Sequence, residues 1–69
     1  MNPETVKRIE TYLKRTLNPG IALAARPRVN DSVEVTLAGE HLGLVYLIED
    51  EGETSYQLEM TILQEDVDG

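Results

Sequence analysis

Ser32-Val33-Glu34-Val35-Thr36-Leu37, then His41-Leu42-Gly43-Leu44-Val45-Tyr46-Leu47-Ile48, then the alternate positions Tyr56, Leu58, Met60 and Ile62 decide the fold of this chain. Each stretch carries apolar side chains at every second position, the period of a strand with one buried face. Two turn signals separate the stretches. Gly39-Glu40 puts a glycine first in a two-residue loop, which suits a type II′ turn. That loop pairs Leu37 with Leu42, Val35 with Leu44 and Val33 with Tyr46. Asp50-Glu51-Gly52 suits a three-residue loop with Gly52 in the left-handed bulge position. It pairs Tyr46 with Tyr56, Leu44 with Leu58 and Leu42 with Met60. Both turns send the same residues to one face, and that agreement predicts the core. Val45 and Leu47 are left on the other face of a central strand.

The upstream sequence supplies a fourth strand and a helix. Ile21 to Arg28 places Ile21, Leu23, Ala25 and Pro27 on one face, and Pro27, which lacks a ladder donor, marks an edge strand. A turn at Val29-Asn30-Asp31 with an odd-length loop sets Leu23 opposite Leu37, Ala25 opposite Val35 and Arg26 opposite Glu34. A two-residue Asn30-Asp31 loop would instead set Arg26 against Val35, so the odd loop is preferred. Asn2-Pro3-Glu4 reads as a helix start, with a cap, a first-turn proline and an acid at the positive end of the dipole. Val6, Ile9, Leu13 and Leu17 form one apolar stripe, Glu10 and Lys14 an i,i+4 pair, and Asn18-Pro19-Gly20 a stop. The sequence therefore predicts one α+β domain over residues 1–69. Its N-terminal helix packs on a four-stranded antiparallel β-meander of order 1-2-3-4, and its acidic tail at 65–69 is expected to fray.

A chain of 69 residues has room for one small core, and such a domain buries only about 60% of the surface its unfolded chain exposes. With no cysteine and one histidine, it has neither a disulfide nor a zinc site to staple it. Its stability must come from its core or from a partner subunit. No stretch resembles a signal peptide or a membrane span, so the expected location is cytoplasmic. The net charge of −7 hides a division. Residues 1–30 carry six cations against Glu4 and Glu10, whereas residues 31–69 carry eleven acids and no Lys or Arg.

Few residues suggest chemistry. Glu49-Asp50-Glu51-Gly52-Glu53 is dense in carboxylates. A calcium loop of the EF-hand kind needs an acid five residues before its glycine, and Leu47 stands there. His41 faces away from the core, with Thr61 as its nearest expected cross-strand neighbour and no activated nucleophile beside it. Glu34 and Glu59 share the outer face but lie two strands apart, about 10 Å or more, with no cleft between them. The sequence predicts no catalytic residue, no metal site and no cofactor, and an enzyme is not expected. Lys7, Arg8, Lys14 and Arg15 form a basic helix face, which gives the alternative of an accessory domain that binds nucleic acid. Against it stand the acidic sheet and the absence of outward-facing aromatics for base stacking.

The expectation that remains is a small non-catalytic protein–protein interaction module, with self-association as a homodimer among its forms. The contact would run through the outer sheet face, where Val45 and Leu47 stand with Leu63, or through the last edge strand, which has no proline. The chain also resembles a family of small uncharacterised alphaproteobacterial proteins, a domain of unknown function. The likeness lies in Pro3-Glu4, Tyr12-Leu13 with Arg15-Thr16, Ala25-Arg26-Pro27, Asp31-Ser32-Val33-Glu34-Val35, Gly43, Ser55-Tyr56-Gln57-Leu58-Glu59-Met60 and Ile62-Leu63. The resemblance implies a stand-alone bacterial cytoplasmic protein and carries no activity, substrate or cofactor. Most of the matching positions have turn or core roles. Arg26, Ser55 and Gln57 do not, and they extend the candidate contact surface.

Overall fold

The computed structural model describes residues 1–69. Helix α1 (Pro3–Thr16) leads into β1 (Ile21–Ala25), β2 (Ser32–Leu37), β3 (Glu40–Asp50), β4 (Glu53–Met60) and a short helix α2 (Gln64–Asp68). The strands form one antiparallel sheet in the order β1-β2-β3-β4, the meander and α+β fold expected from the sequence. Helix α1 starts where its capping residues place it. The Asn2 side chain accepts a hydrogen bond from the Thr5 backbone N–H at 2.7 Å, with Pro3 at the first helical position. Glu4 lies in the first turn, and Lys14 and Arg15 in the last, as the helix dipole favours.

The core is Leu13 from α1 with Ile21, Val33, Val35 and Val45 from the first three strands. Val6, Ile9, Leu23, Leu37 and Leu42 pack around it. Val45 is thus a core residue, only 2% exposed, and not the outward-facing residue expected from the sequence. Leu47 shares its face. Leu44, Tyr46 and Ile48 take the outer face instead.

The cause lies in the first turn with the bulge that follows it, and in the length of the second turn. Ala38 and Gly39 have φ values of 51° and 86°, and Leu37 pairs with Glu40. The loop is therefore Ala38-Gly39 with both central residues left-handed, the type I′ pattern, and not Gly39-Glu40. After it the register shifts. Thr36 pairs with His41 but Val35 pairs with Gly43, leaving Leu42 as the extra residue of a β-bulge. The next loop is Glu51-Gly52, again left-handed at both positions (φ 49° and 82°), and not the three-residue loop expected. It pairs Val45 with Leu58 and Leu47 with Tyr56. The two departures are each one residue and opposite in sign. They cancel at β4, whose Tyr56, Leu58 and Met60 keep the expected face, and only β3 is turned over.

Strand β1 keeps its expected faces but is displaced by two residues, so that Ile21 pairs with Leu37, Leu23 with Val35 and Ala25 with Val33. Ala24, not Arg26, stands opposite Glu34. Arg26 lies beyond the strand and donates from Nη1 to the Ser32 hydroxyl at 2.7 Å. The acidic tail, expected to fray, forms the exposed turns of α2.

Candidate functional site

The position of α1 determines what the sheet leaves open. Glu10 Oε2 accepts a hydrogen bond from the Leu23 backbone N–H at 2.8 Å. That N–H belongs to the edge strand β1 and has no ladder partner, so the Glu10 carboxylate satisfies a donor that water would otherwise take. The bond holds the helix over the β1 side of the sheet, and Glu10 is engaged there in place of the expected pair with Lys14. A helix is about 10 Å across and strands lie about 4.8 Å apart, so one helix covers about two strands. The inner face of β4 is left without a cover.

Tyr56, Leu58 and Met60 line that uncovered inner face and are 43%, 39% and 46% exposed. Ile62, 67% exposed, follows the strand. Leu47, half-buried, forms the floor beside Tyr56. Tyr12 is two residues from Glu10, about 200° around the helix, and so lies on the flank turned toward the open half. Its ring is 54% exposed and carries the Arg15 guanidinium 5.6 Å from its centroid. The site is therefore an apolar strip along β4 with Leu47 of β3 at its margin, walled on one side by α1. Every residue from Glu49 to Gly69 is exposed.

The residues singled out from the sequence are dispersed. Val45 is in the core, and Leu47 lies on the inner face at the buried margin of the open strip. Ser55 and Gln57 are on the outer face, as expected, opposite Ile48 and Tyr46. Arg26 is held by Ser32. Leu63 is the N-cap residue of α2 and lines a shallow depression with His41, Leu44, Thr61 and Asp66. On the basic helix face, Arg8 is paired with Glu4 at 2.9 Å. Arg15 lies over Tyr12, and Lys14 reaches the Pro19 carbonyl at 3.4 Å. Lys7 borders one depression with Arg8 and Arg15 and another with Glu10. His41 Nδ1 lies 2.7 Å from Glu34 Oε2 on the outer face, in place of a contact with Thr61. No group of three or more metal-ligand side chains converges anywhere in the structure. No helix is long and apolar enough to cross a membrane.

Residues 5–66 match the family described as "Protein of unknown function (DUF3126)". The chain belongs to the DUF3126 family. The match takes in most of α1, the whole sheet and the first part of α2, so the residues of the open strip lie within the matched span. No curated protein and no solved structure matches it.

The sequence reading missed Tyr56, Leu58 and Met60 as surface because it placed them under the helix. The signal was available in the lengths. One helix of about 20 Å by 10 Å cannot roof four strands.

Proposed function

We propose that this DUF3126 protein is a non-catalytic protein–protein interaction module whose contact surface is the open strip of β3 and β4. One observation carries this reading. All of β4 is exposed on both faces, yet its outer positions are Glu53, Ser55, Gln57 and Glu59 and its inner ones past Thr54 are Tyr56, Leu58 and Met60. Burial within the monomer accounts for only part of that alternation, because Tyr56, Leu58 and Met60 all keep more than a third of their surface in solvent. A partner on the inner face accounts for the rest. A cytoplasmic setting agrees with a chain that uses no cysteine.

The basic helix face supports the nucleic-acid alternative less well, since Arg8 is paired with Glu4 and Arg15 is stacked on Tyr12. Site-specific photo-crosslinking in cells tests the reading. A benzophenone-bearing phenylalanine analogue in place of Tyr56 is expected to give discrete adducts, and the same group in place of Gln57, one residue away on the outer face, none. No adduct from the Tyr56 position, or equal labelling from both, would reject the inner face as a contact surface.

A further inference from the structure

We infer that the occupant of the open strip is a second copy of this chain, seated face to face so that each β3–β4 hairpin covers the other's apolar floor. The inference rests on the interaction-module reading and names its partner.

Three observations lead to it. The first is area. The chain exposes 5419 Å², whereas a compact monomer of 7.7 kDa exposes about 4,300 Å². The excess, about 1,100 Å², is comparable to the surface that one partner loses in a stable interface, about 800 Å² and upward. The shape agrees. The radius of gyration is 12.9 Å against about 11 Å for a compact domain of this length, and the long dimension is 42 Å.

The second is fit. The strip runs along β4 with Leu47 of β3 at its margin and lies beside α1, which stands one layer, about 10 Å, above the sheet. Packed sheets also stand about 10 Å apart. A hairpin laid on the strip therefore takes a place level with the helix and completes the second layer. The chain contains one element two strands wide with an exposed apolar face, and it is the same β3–β4 hairpin. A surface that fits itself in this way generates a closed two-fold dimer.

The third is charge. Glu53 and Glu59 lie on the outer face of β4, and Asp50 and Glu51 lie at the hairpin tip. Face packing leaves these β4 carboxylates in solvent, and Glu49, opposite Thr54, is the one acid on the inner face, at the tip end of the hairpin. Pairing through the free β4 edges would instead bring Glu53 and Glu59 of both copies onto adjacent strands, and it would lengthen the apolar floor without covering it. The observations therefore favour the face over the edge.

Sedimentation equilibrium of the purified chain from micromolar to millimolar concentration is the test. The wild type is expected to approach twice the 7.7 kDa chain mass. Leu58→Asp is expected to weaken association by about 100-fold or more, the effect of placing a charge at the centre of an apolar contact. Gln57→Asp, on the outer face, is expected to change it by no more than about threefold, as for a position outside the contact. Met60→Lys is the second inner-face variant should Leu58→Asp fail to fold by circular dichroism. Hydrogen exchange supplies the geometry, because face packing leaves the outward amides of the β4 edge fast. A monomer at every concentration would overturn the second copy, while adducts from the Tyr56 position would still leave the interaction module standing. A dimer equally sensitive to Gln57→Asp, with slow β4 edge amides, would overturn the face arrangement in favour of edge pairing.

Discussion

Val45→Ala tests the register on which the whole surface depends. Val45 is 2% exposed and stands between Val33 on β2 and Leu58 on β4. Truncation removes two carbons, worth about 1.6 kcal/mol at about 0.8 kcal/mol each. A residual cavity of up to about 50 Å³ adds up to about 1.2 kcal/mol, at about 24 cal/mol per Å³. The expected loss is therefore about 2–3 kcal/mol, against a total stability of about 3–10 kcal/mol for a chain of this length. The neighbouring control is Leu44→Ala on the outer face, where a half-buried side chain is worth about 1 kcal/mol or less. Urea unfolding followed by circular dichroism at one fixed chain concentration reads both, since self-association would otherwise add to apparent stability. With an m-value of about 1 kcal/mol/M, the midpoint falls by about 2–3 M for Val45→Ala and by about 1 M or less for Leu44→Ala. The opposite order would mean that β3 presents Leu44 and Tyr46 to the core, and the open strip would lose its floor.

Other perturbations probe the features that set this register. Ala38→Asn is expected to stabilise the chain by about 0.5–1 kcal/mol in the same urea assay, because asparagine tolerates the left-handed conformation that Ala38 holds at φ 51° and Asn-Gly is the preferred type I′ pair. Gly43→Ala is expected to cost about 1–3 kcal/mol, since its Cβ would fall 2.1 Å from the Glu59 carbonyl oxygen and 2.9 Å from the Met60 Cα; a neutral result would contradict the close approach of β3 and β4 at the bulge. Glu10→Ala is expected to cost about 1 kcal/mol and to speed exchange of the Leu23 amide in particular, because that donor loses its partner. Unchanged exchange at Leu23 would contradict the anchoring of α1 to the sheet edge.

The helix, the strand order and the faces of β2 and β4 are legible in the sequence because each rests on local chemistry or on a long period-two run. Asn2 and Pro3 mark the start of α1, and Val33, Val35, Tyr56, Leu58 and Met60 alternate with polar neighbours. Strand β3 is different. Leu42, Leu44, Val45, Tyr46, Leu47 and Ile48 make it apolar on both faces, so its orientation depends on loop length and on the bulge at Leu42. Both loops are X-Gly type I′ turns with a non-glycine, Ala38 or Glu51, at positive φ. That choice is uncommon for residues of these types; putting glycine first displaces the first loop by one residue, and counting Asp50 into the second makes it one residue too long. The bulge did leave a mark. Gly43 is an isolated glycine within a strand, a recurrent sign of a bulge or of close backbone approach. The open strip was hidden for a separate reason. Alternation reports which side of a strand is apolar and does not report whether anything covers it.

Salt separates the two functional readings by the sign of its effect. Each chain carries a net charge of −7, and residues 31–69, which supply the strip, hold eleven acids and no Lys or Arg. Bringing two such chains together through an apolar face places like charges within reach of one another, so association works against long-range repulsion. Screening sets in over about 10 Å at about 0.1 M ionic strength, and the apolar contact itself does not weaken with moderate salt. The dimer's dissociation constant is therefore expected to fall as salt rises from low to physiological strength. A contact between the helix cations and nucleic acid behaves in the opposite way, because each neutralised phosphate releases a counterion and affinity drops steeply with salt. Sedimentation equilibrium across a salt series, with and without an added oligonucleotide, measures both. Self-association that weakens with salt would show that the contact is built on opposite charges, which would move it off the apolar strip and onto a pairing of the basic helix with the acidic half of the chain.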